Sequence, residues 1–188
     1  MAVESTMLPL GTSAPDFDLL DTVSGRRMDL GDFTGKALVV MFICNHCPYV
    51  KHIQSGLVDF GDDLVGEDVS IVAIGSNDAI NYPDDGPEQL GAVAREFGYT
   101  FPVLFDETQD VAKAYTAACT PDFFVFGPER TLVYRGRFDE SRPNTDVVVT
   151  GQDLRAAVAA VLAGTPAAQT QYPSMGCSIK WKPGNEPG

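Results

Sequence analysis

The sequence predicts an α/β fold: a central mixed β-sheet flanked by helices, with an N-terminal β-hairpin and an extended C-terminal tail. Three observations support it. Two apolar runs of strand length, ALVVMFI (37–43) and VSIVAIGS (69–76), read as strands buried on both faces. Between them the apolar residues change period: Val50, Ile53, Leu57, Phe60 and Leu64 recur every three or four residues, the stripe of a helix. Further on, PDFFVFG (121–127) and TLVYRGRF (131–138) flank the turn PER, an antiparallel hairpin.

The elements follow in order. DFDLL and RRMDL flank the turn signal TVSG and form the opening hairpin. The strand at 37–43 leads through Pro48 into the striped helix, which Gly56 and Gly61 weaken without breaking. After the strand at 69–76 comes a loop, NDAINYPDDG. A helix follows with Leu90, Val93, Ala94 and Phe97 on one face, closed by Gly98. FPVLFD (101–106) is a short strand and ETQDVAKAYTA a short helix. The last helix, 151–164, turns Leu154, Val158, Val161 and Leu162 inward, with Thr150 as its cap and Asp153 favourable to its dipole. Alternating strands and helices imply parallel strands with right-handed crossovers. Residues 1–164 make one domain. Residues 165–188 are a tail over the surface, part of which docks through SMGCSIKWK.

At 188 residues and 44% hydrophobic, the chain supports one full core. Thirteen basic residues against 26 acidic ones give a net charge of −13, which repels phosphate backbones and anionic membranes. Nucleic acid and membrane are therefore not expected partners. The N-terminal MAVESTMLPLG has neither a basic n-region nor a long apolar core, so the expected location is the cytoplasm. There the cysteines at 44, 47, 119 and 177 would stay reduced. Each then serves in thiol chemistry, binds a metal or is a small buried hydrophobe.

The chemistry concentrates in CNHCPYV (44–50). Proline is favoured at the first helical position, so Pro48 makes Cys47 the cap residue, facing free N–H groups and the positive end of the dipole. Such a cysteine titrates below the free value of about 8.5 and is a reactive thiolate. Val50, where a C-P-Y-C motif would have its second cysteine, belongs to the core stripe.

The buried strand, the helix-start Cys-Pro and the later Thr120-Pro121 before an apolar strand resemble the thioredoxin fold. The segments LGTSAPDFDLLDTVSG and DLGDFTGKALVVMF are similar to the opening of the peroxiredoxin and alkyl hydroperoxide reductase/thiol-specific antioxidant branch. CNHCPYVKH, CTPDFFVF, YRGRFD and GCSIKWK resemble a bacterial peroxiredoxin-like (redoxin) subgroup of it, over nearly the whole chain. The resemblance implies that Pro121 is a cis-proline facing Cys47, and that Cys47 matches the first cysteine of a thioredoxin C-x-x-C. The threonine of the peroxiredoxin P-x-x-x-T-x-x-C pattern has no match, and an activating arginine is Arg135 or Arg137. The peroxidase triad therefore does not carry over residue by residue.

The expected site is Cys47 as nucleophile, Pro121 shaping the groove and Cys119 as resolving thiol, ahead of Cys44 and then Cys177. Cys119 also reads as a small core residue. The expected function is thiol-dependent oxidoreduction on a disulfide or peroxide, with antioxidant activity. It needs no organic cofactor and takes electrons from a small thiol or a reductase protein; the oligomeric state is open. The alternative is a non-catalytic thioredoxin-fold module that binds a partner or senses thiols or metal. Cys44, His46, Cys47 and His52 would be its ligands, in a spacing compressed for zinc. His52 and Lys51 otherwise read as solvated, Tyr49 as surface packing and Trp181 as a pin for the tail.

Overall fold

The computed structural model describes residues 2–187. Among the described residues ten strands are present: β1 (Ala2–Glu4), β2 (Asp18–Asp21), β3 (Arg27–Asp29), β4 (Ala37–Phe42), β5 (Val69–Gly75), β6 (Val103–Phe105), β7 (Cys119–Thr120), β8 (Asp122–Phe126), β9 (Leu132–Gly136) and β10 (Met175–Ser178). The helices are α1 (Pro48–Asp63), α2 (Pro87–Phe97), α3 (Asp110–Ala114) and α4 (Gln152–Ala163). The main sheet runs β3-β2-β6-β5-β4-β8-β9. Its β4, β5 and β6 are parallel, and the hairpins at both ends are antiparallel. This is the mixed sheet flanked by helices that the residue pattern predicts.

Strand β4 is central and wholly buried, as its unbroken apolar run requires. Its side chains alternate between two cores, as successive strand residues must. Val39 and Met41 face the core built with α1, α2 and α4, including Val50, Ile53, Leu57, Phe60, Leu90 and Leu154. Leu38, Val40 and Phe42 face a second core with Phe17, Tyr115, Phe124 and Ile179. Each large apolar side chain buried this way contributes roughly 1.5–3 kcal/mol. Gly56 and Gly61 are sites of close packing within α1. A Cβ at either would come within 2.7 Å of Val149 Cγ1 or 2.6 Å of Thr100 Oγ1.

Four local details differ from the sequence reading. Phe97 is exposed, because the end of α2 runs beyond the core, while Gly91 lies buried against Thr22. Gly151 is the cap of α4, in the left-handed region at φ 67°; the Thr150 hydroxyl accepts from Gln152 N at 3.2 Å without being the cap residue. Strand β1 has no sequence signal and was not expected. The tail is no surface arm at Met175–Ser178: β10 is the middle strand of a second sheet, β1-β10-β7. Trp181 packs partly buried on the second core, as a pin would. No helix among the described residues is long and apolar enough to cross a membrane.

Candidate active site

The site lies where β4 hands over to α1. Cys47 is the N-cap residue of α1 with extended backbone (φ −70°, ψ 123°), and Pro48 opens the helix. The Val50 N–H faces the Cys47 sulfur from the first turn and favours its charge, without closing a capping hydrogen bond. Across the site, the Thr120–Pro121 peptide is cis. The carbonyl of Thr120 lies 3.2 Å from Cys47 Sγ and accepts a hydrogen bond from it when the sulfur is a thiol.

Two other thiols touch Cys47. The Cys44 S–H donates to it and is the largest influence lowering its pKa; the S–H and backbone N–H of Cys177 add to this. Burial opposes them but does not prevail, so Cys47 is held well below an ordinary thiol. Cys44 moves the opposite way: its proton is committed to the Cys47 thiolate, and burial and the Asp85 charge raise its pKa further. Thr120 Oγ1 lies 3.2 Å from Cys44 Sγ. With the Cys44 proton directed at Cys47, the hydroxyl donates, giving a chain Thr120 to Cys44 to Cys47 of mutually polarising hydrogen bonds. The pattern of one low-pKa sulfur paired with one protonated sulfur across two residues is that of a redox dithiol.

The turn through Asn45 and His46 that brings these sulfurs together is anchored by Asp85, which lies in a 3₁₀ turn at Pro83–Asp85. Asp85 Oδ1 accepts from the backbone N–H groups of Asn45 (2.8 Å) and His46 (3.2 Å). Its Oδ2 accepts from the His46 ring and from Asn77 Nδ2 at 2.8 Å. Sequence reading placed this segment in a loop and missed Asp85; its only local sign is a carboxylate in the turn YPDDG. Cys44, His46 and Asp85 bring ligand-type atoms within 4.8 Å of one another. Four donors share the two oxygens of Asp85, so the carboxylate acts as a loop anchor. His52 is not in this group.

Cys119 reaches the neighbourhood but not the dithiol. It is fully buried, its Sγ donates to Pro121 O at 3.6 Å, and burial with the nearby Asp122 carboxylate raises its pKa. These are the features of the core-residue reading; the thiols that lower the Cys47 pKa are Cys44 and Cys177, not Cys119. Arg135 is also structural: it pairs with Asp122 at 3.0 Å with both side chains fully buried, and its guanidinium stacks over Phe124. Arg137 pairs with Asp153 at 2.6 Å. Beside Pro121, Tyr49, His52, Ser141 and Met175 help to line a cavity of about 30 Å³. His52 is therefore not solvated at its tip, where Nε2 is buried without a hydrogen-bond partner among the described residues.

The comparisons bear on the fold and the family. An uncharacterized conserved protein from Geobacillus kaustophilus has a solved structure that is 55% identical, covers 97% of each chain and superposes with a TM-score of 0.96. The thioredoxin domain of a thiol-disulfide oxidoreductase from Bacteroides vulgatus is only 19% identical. It covers 79% of this chain and 97% of its own, with a TM-score of 0.60, and so shows the thioredoxin-like fold. Thiol-disulfide oxidoreductase ResA of Bacillus subtilis is 27% identical over 125 residues, 65% of this chain and 64% of ResA. The chain thus spans a little under two thirds of that curated relative. Residues 10–135, from before the opening hairpin into β9 and including Cys47 and Pro121, match one family throughout: the chain belongs to the AhpC/TSA family.

Proposed function

We propose that the protein is a thiol-disulfide oxidoreductase whose nucleophile is Cys47 and whose first resolving thiol is Cys44. One observation carries the reading: Cys47 caps the start of α1, three residues after Cys44, and faces the cis Thr120–Pro121 peptide with its sulfur 3.2 Å from the Thr120 carbonyl; the direction of its pKa, well below an ordinary thiol, agrees. The Cys47 thiolate attacks one sulfur of a substrate disulfide, forms a mixed disulfide and expels the other sulfur as a thiolate, which takes up a proton. The charge on Cys47 is then gone, and with it the main cause holding the proton on Cys44. Cys44 ionises, helped by the Thr120 hydroxyl, attacks the Cys47 sulfur and releases the second substrate thiol. Two electrons pass to the substrate, and a Cys44–Cys47 disulfide remains for a thiol reductant to reopen. This ranks Cys44 above Cys119, reversing the order expected from sequence.

Hydroperoxide reduction is the second reading, favoured by the complete burial of Cys47, which admits only a small oxidant. There the thiolate would displace alcohol or water from the peroxide, giving a sulfenic acid, and Cys44 would condense with it, releasing water. Turnover assays with a small disulfide and with a hydroperoxide test both, each with Cys47→Ala as control. Disulfide turnover abolished by the substitution supports the proposal. Peroxide turnover alone selects the second reading, and no turnover of either selects the non-catalytic module.

A further inference from the structure

A strand next to a reactive sulfur is a place where a polypeptide can dock by adding a strand of its own. Here β7 is that strand: Cys119 and Thr120 lie just before cis-Pro121, and the Thr120 carbonyl touches Cys47. Its pairing positions are already taken. Cys177 pairs with Thr120 and Ser178 with Cys119, antiparallel, and Ile179 N–H continues onto Ala118 O at 3.1 Å. The approach is close: a Cβ at Gly176 would come within 1.9 Å of Thr120 O. The strand is fixed at both ends. Ser174 is buried, and its N–H donates to Ser5 Oγ (3.0 Å) and its hydroxyl to Gly136 O (2.7 Å). Beyond the strand, Ile179 is buried in the second core, and Lys180 N–H donates to Asn77 Oδ1 at 2.8 Å. On the far side β1 pairs with β10 and covers its other edge.

We infer that the chain carries its own substrate strand: Met175–Ser178 fills the peptide-pairing edge beside Cys47, and Cys177 stands where the cysteine of a bound peptide would stand. This rests on the proposed function and names its substrate class. Cys47 has 0% of its surface exposed, whereas Cys177 is only partly buried and touches it. The reductant therefore enters at Cys177, and the thiols and disulfides exchanged are small, because a polypeptide finds the edge occupied.

The chemistry favours this port. In a Cys47–Cys177 disulfide the accessible sulfur is that of Cys177, and Cys47, with its low pKa, is the better leaving group. A small thiolate attacks Cys177, the Cys47–Cys177 bond breaks, and Cys47 departs as its stabilised thiolate. A second small thiolate then attacks the small-molecule sulfur of the mixed disulfide. A small disulfide leaves and Cys177 takes up a proton. Two small thiols have supplied two electrons. Attack by Cys44 on Cys47 connects this bond to the Cys44–Cys47 disulfide, expelling Cys177.

The test uses the full chain oxidised by hydroxyethyl disulfide, followed by non-reducing peptide mapping and by reduction kinetics with mercaptoethanol and with the disulfides of insulin as substrate. Expected are a Cys47–Cys177 linkage or a mercaptoethanol adduct on Cys177, turnover of the small disulfide, and no insulin reduction above background. Cys177→Ser should slow exchange with mercaptoethanol at least about tenfold while Cys44–Cys47 still forms. A map with only Cys44–Cys47, with Cys177→Ser exchanging at the wild-type rate, overturns the inference and leaves the proposed function standing. Insulin reduction matching that of the small disulfide overturns it too, and needs no variant. Absence of any disulfide or adduct at Cys47 and Cys177 overturns both.

Discussion

Replacing Cys44 by alanine removes the donor that does most to hold Cys47 as a thiolate. A hydrogen bond to a charged group contributes roughly 1.5–3 kcal/mol. One pKa unit corresponds to about 1.36 kcal/mol, so the Cys47 titration should move up by about 1–2 units. The S–H and N–H of Cys177 and the N–H of Val50 remain, so Cys47 should still titrate below a free cysteine. Cys44→Ser keeps a donor in place and should shift it by less than Cys44→Ala. The readout is ultraviolet thiolate absorbance during a pH titration, which does not require a reagent to reach the buried sulfur. Interference is small, since Cys177 is pushed up to about 11 and burial raises Cys119 further. Stability should follow. A folded pKa below the unfolded one gives stability that is present above the unfolded value and lost as pH falls through the folded value. Wild-type stability should therefore rise with pH across that window, and Cys44→Ala should flatten the rise. An unchanged titration in Cys44→Ala, with the full shift appearing in Cys177→Ala, would refute the Cys44–Cys47 dithiol.

Asp85→Ala leaves two part-buried backbone N–H groups and the buried Asn77 amide without their acceptor. At roughly 1–3 kcal/mol per orphaned group, and about 2–4 °C per kcal/mol for a chain of this size, the melting temperature should fall by at least about 6 °C in a thermal scan. A change below about 2 °C would mean that the carboxylate does not anchor the loop. Gly176→Ala should unseat β10, seen as faster hydrogen exchange of 174–180 than in the wild type; unchanged protection would show that β10 is not packed this closely on β7. Arg135→Met strands Asp122 without its partner and should cost about 3–5 kcal/mol in denaturant unfolding, whereas Arg135→Met with Asp122→Leu should recover most of it. Burial raises the folded pKa of Asp122 to about 6 even beside Arg135. Its contribution is thus fully present below the unfolded value of about 3.9 and lost as pH rises through about 6. Losing Arg135 should push that window higher and make the loss larger, and a pH-independent difference between wild type and Arg135→Met would count against this.

The fold was legible because its signals are local and repeated. Ala37–Phe42 is apolar at every position, and only a strand covered on both faces needs that. The 50, 53, 57, 60 stripe leaves α1 one face to bury. The place of Cys47 was equally legible, since Pro48 can open a helix but not sit within one. Less visible was whatever depends on residues brought together from afar. Asp85 is 38 positions from Cys47, and nothing in YPDDG says that its carboxylate will gather the N–H groups of Asn45 and His46.

Cys177 shows why local signal fails in the tail. A strand of four residues, M-G-C-S, has no alternation long enough to read, and its glycine counts against a strand. Its stability comes from having a neighbour on each side, β1 from the start of the chain and β7 from the middle. The same glycine that hides the strand in the sequence is what permits it in the fold, because only a residue without a Cβ fits against the Thr120 carbonyl. Sequence reasoning ranked Cys119 first because it is two residues from Pro121, but proximity along a strand does not decide which way a sulfur points. Cys119 turns to Pro121 O, while pairing of β10 with β7 sets Cys177 opposite Thr120, whose carbonyl touches Cys47. Which thiol lies opposite Thr120 is therefore set by strand register, which a single sequence does not record.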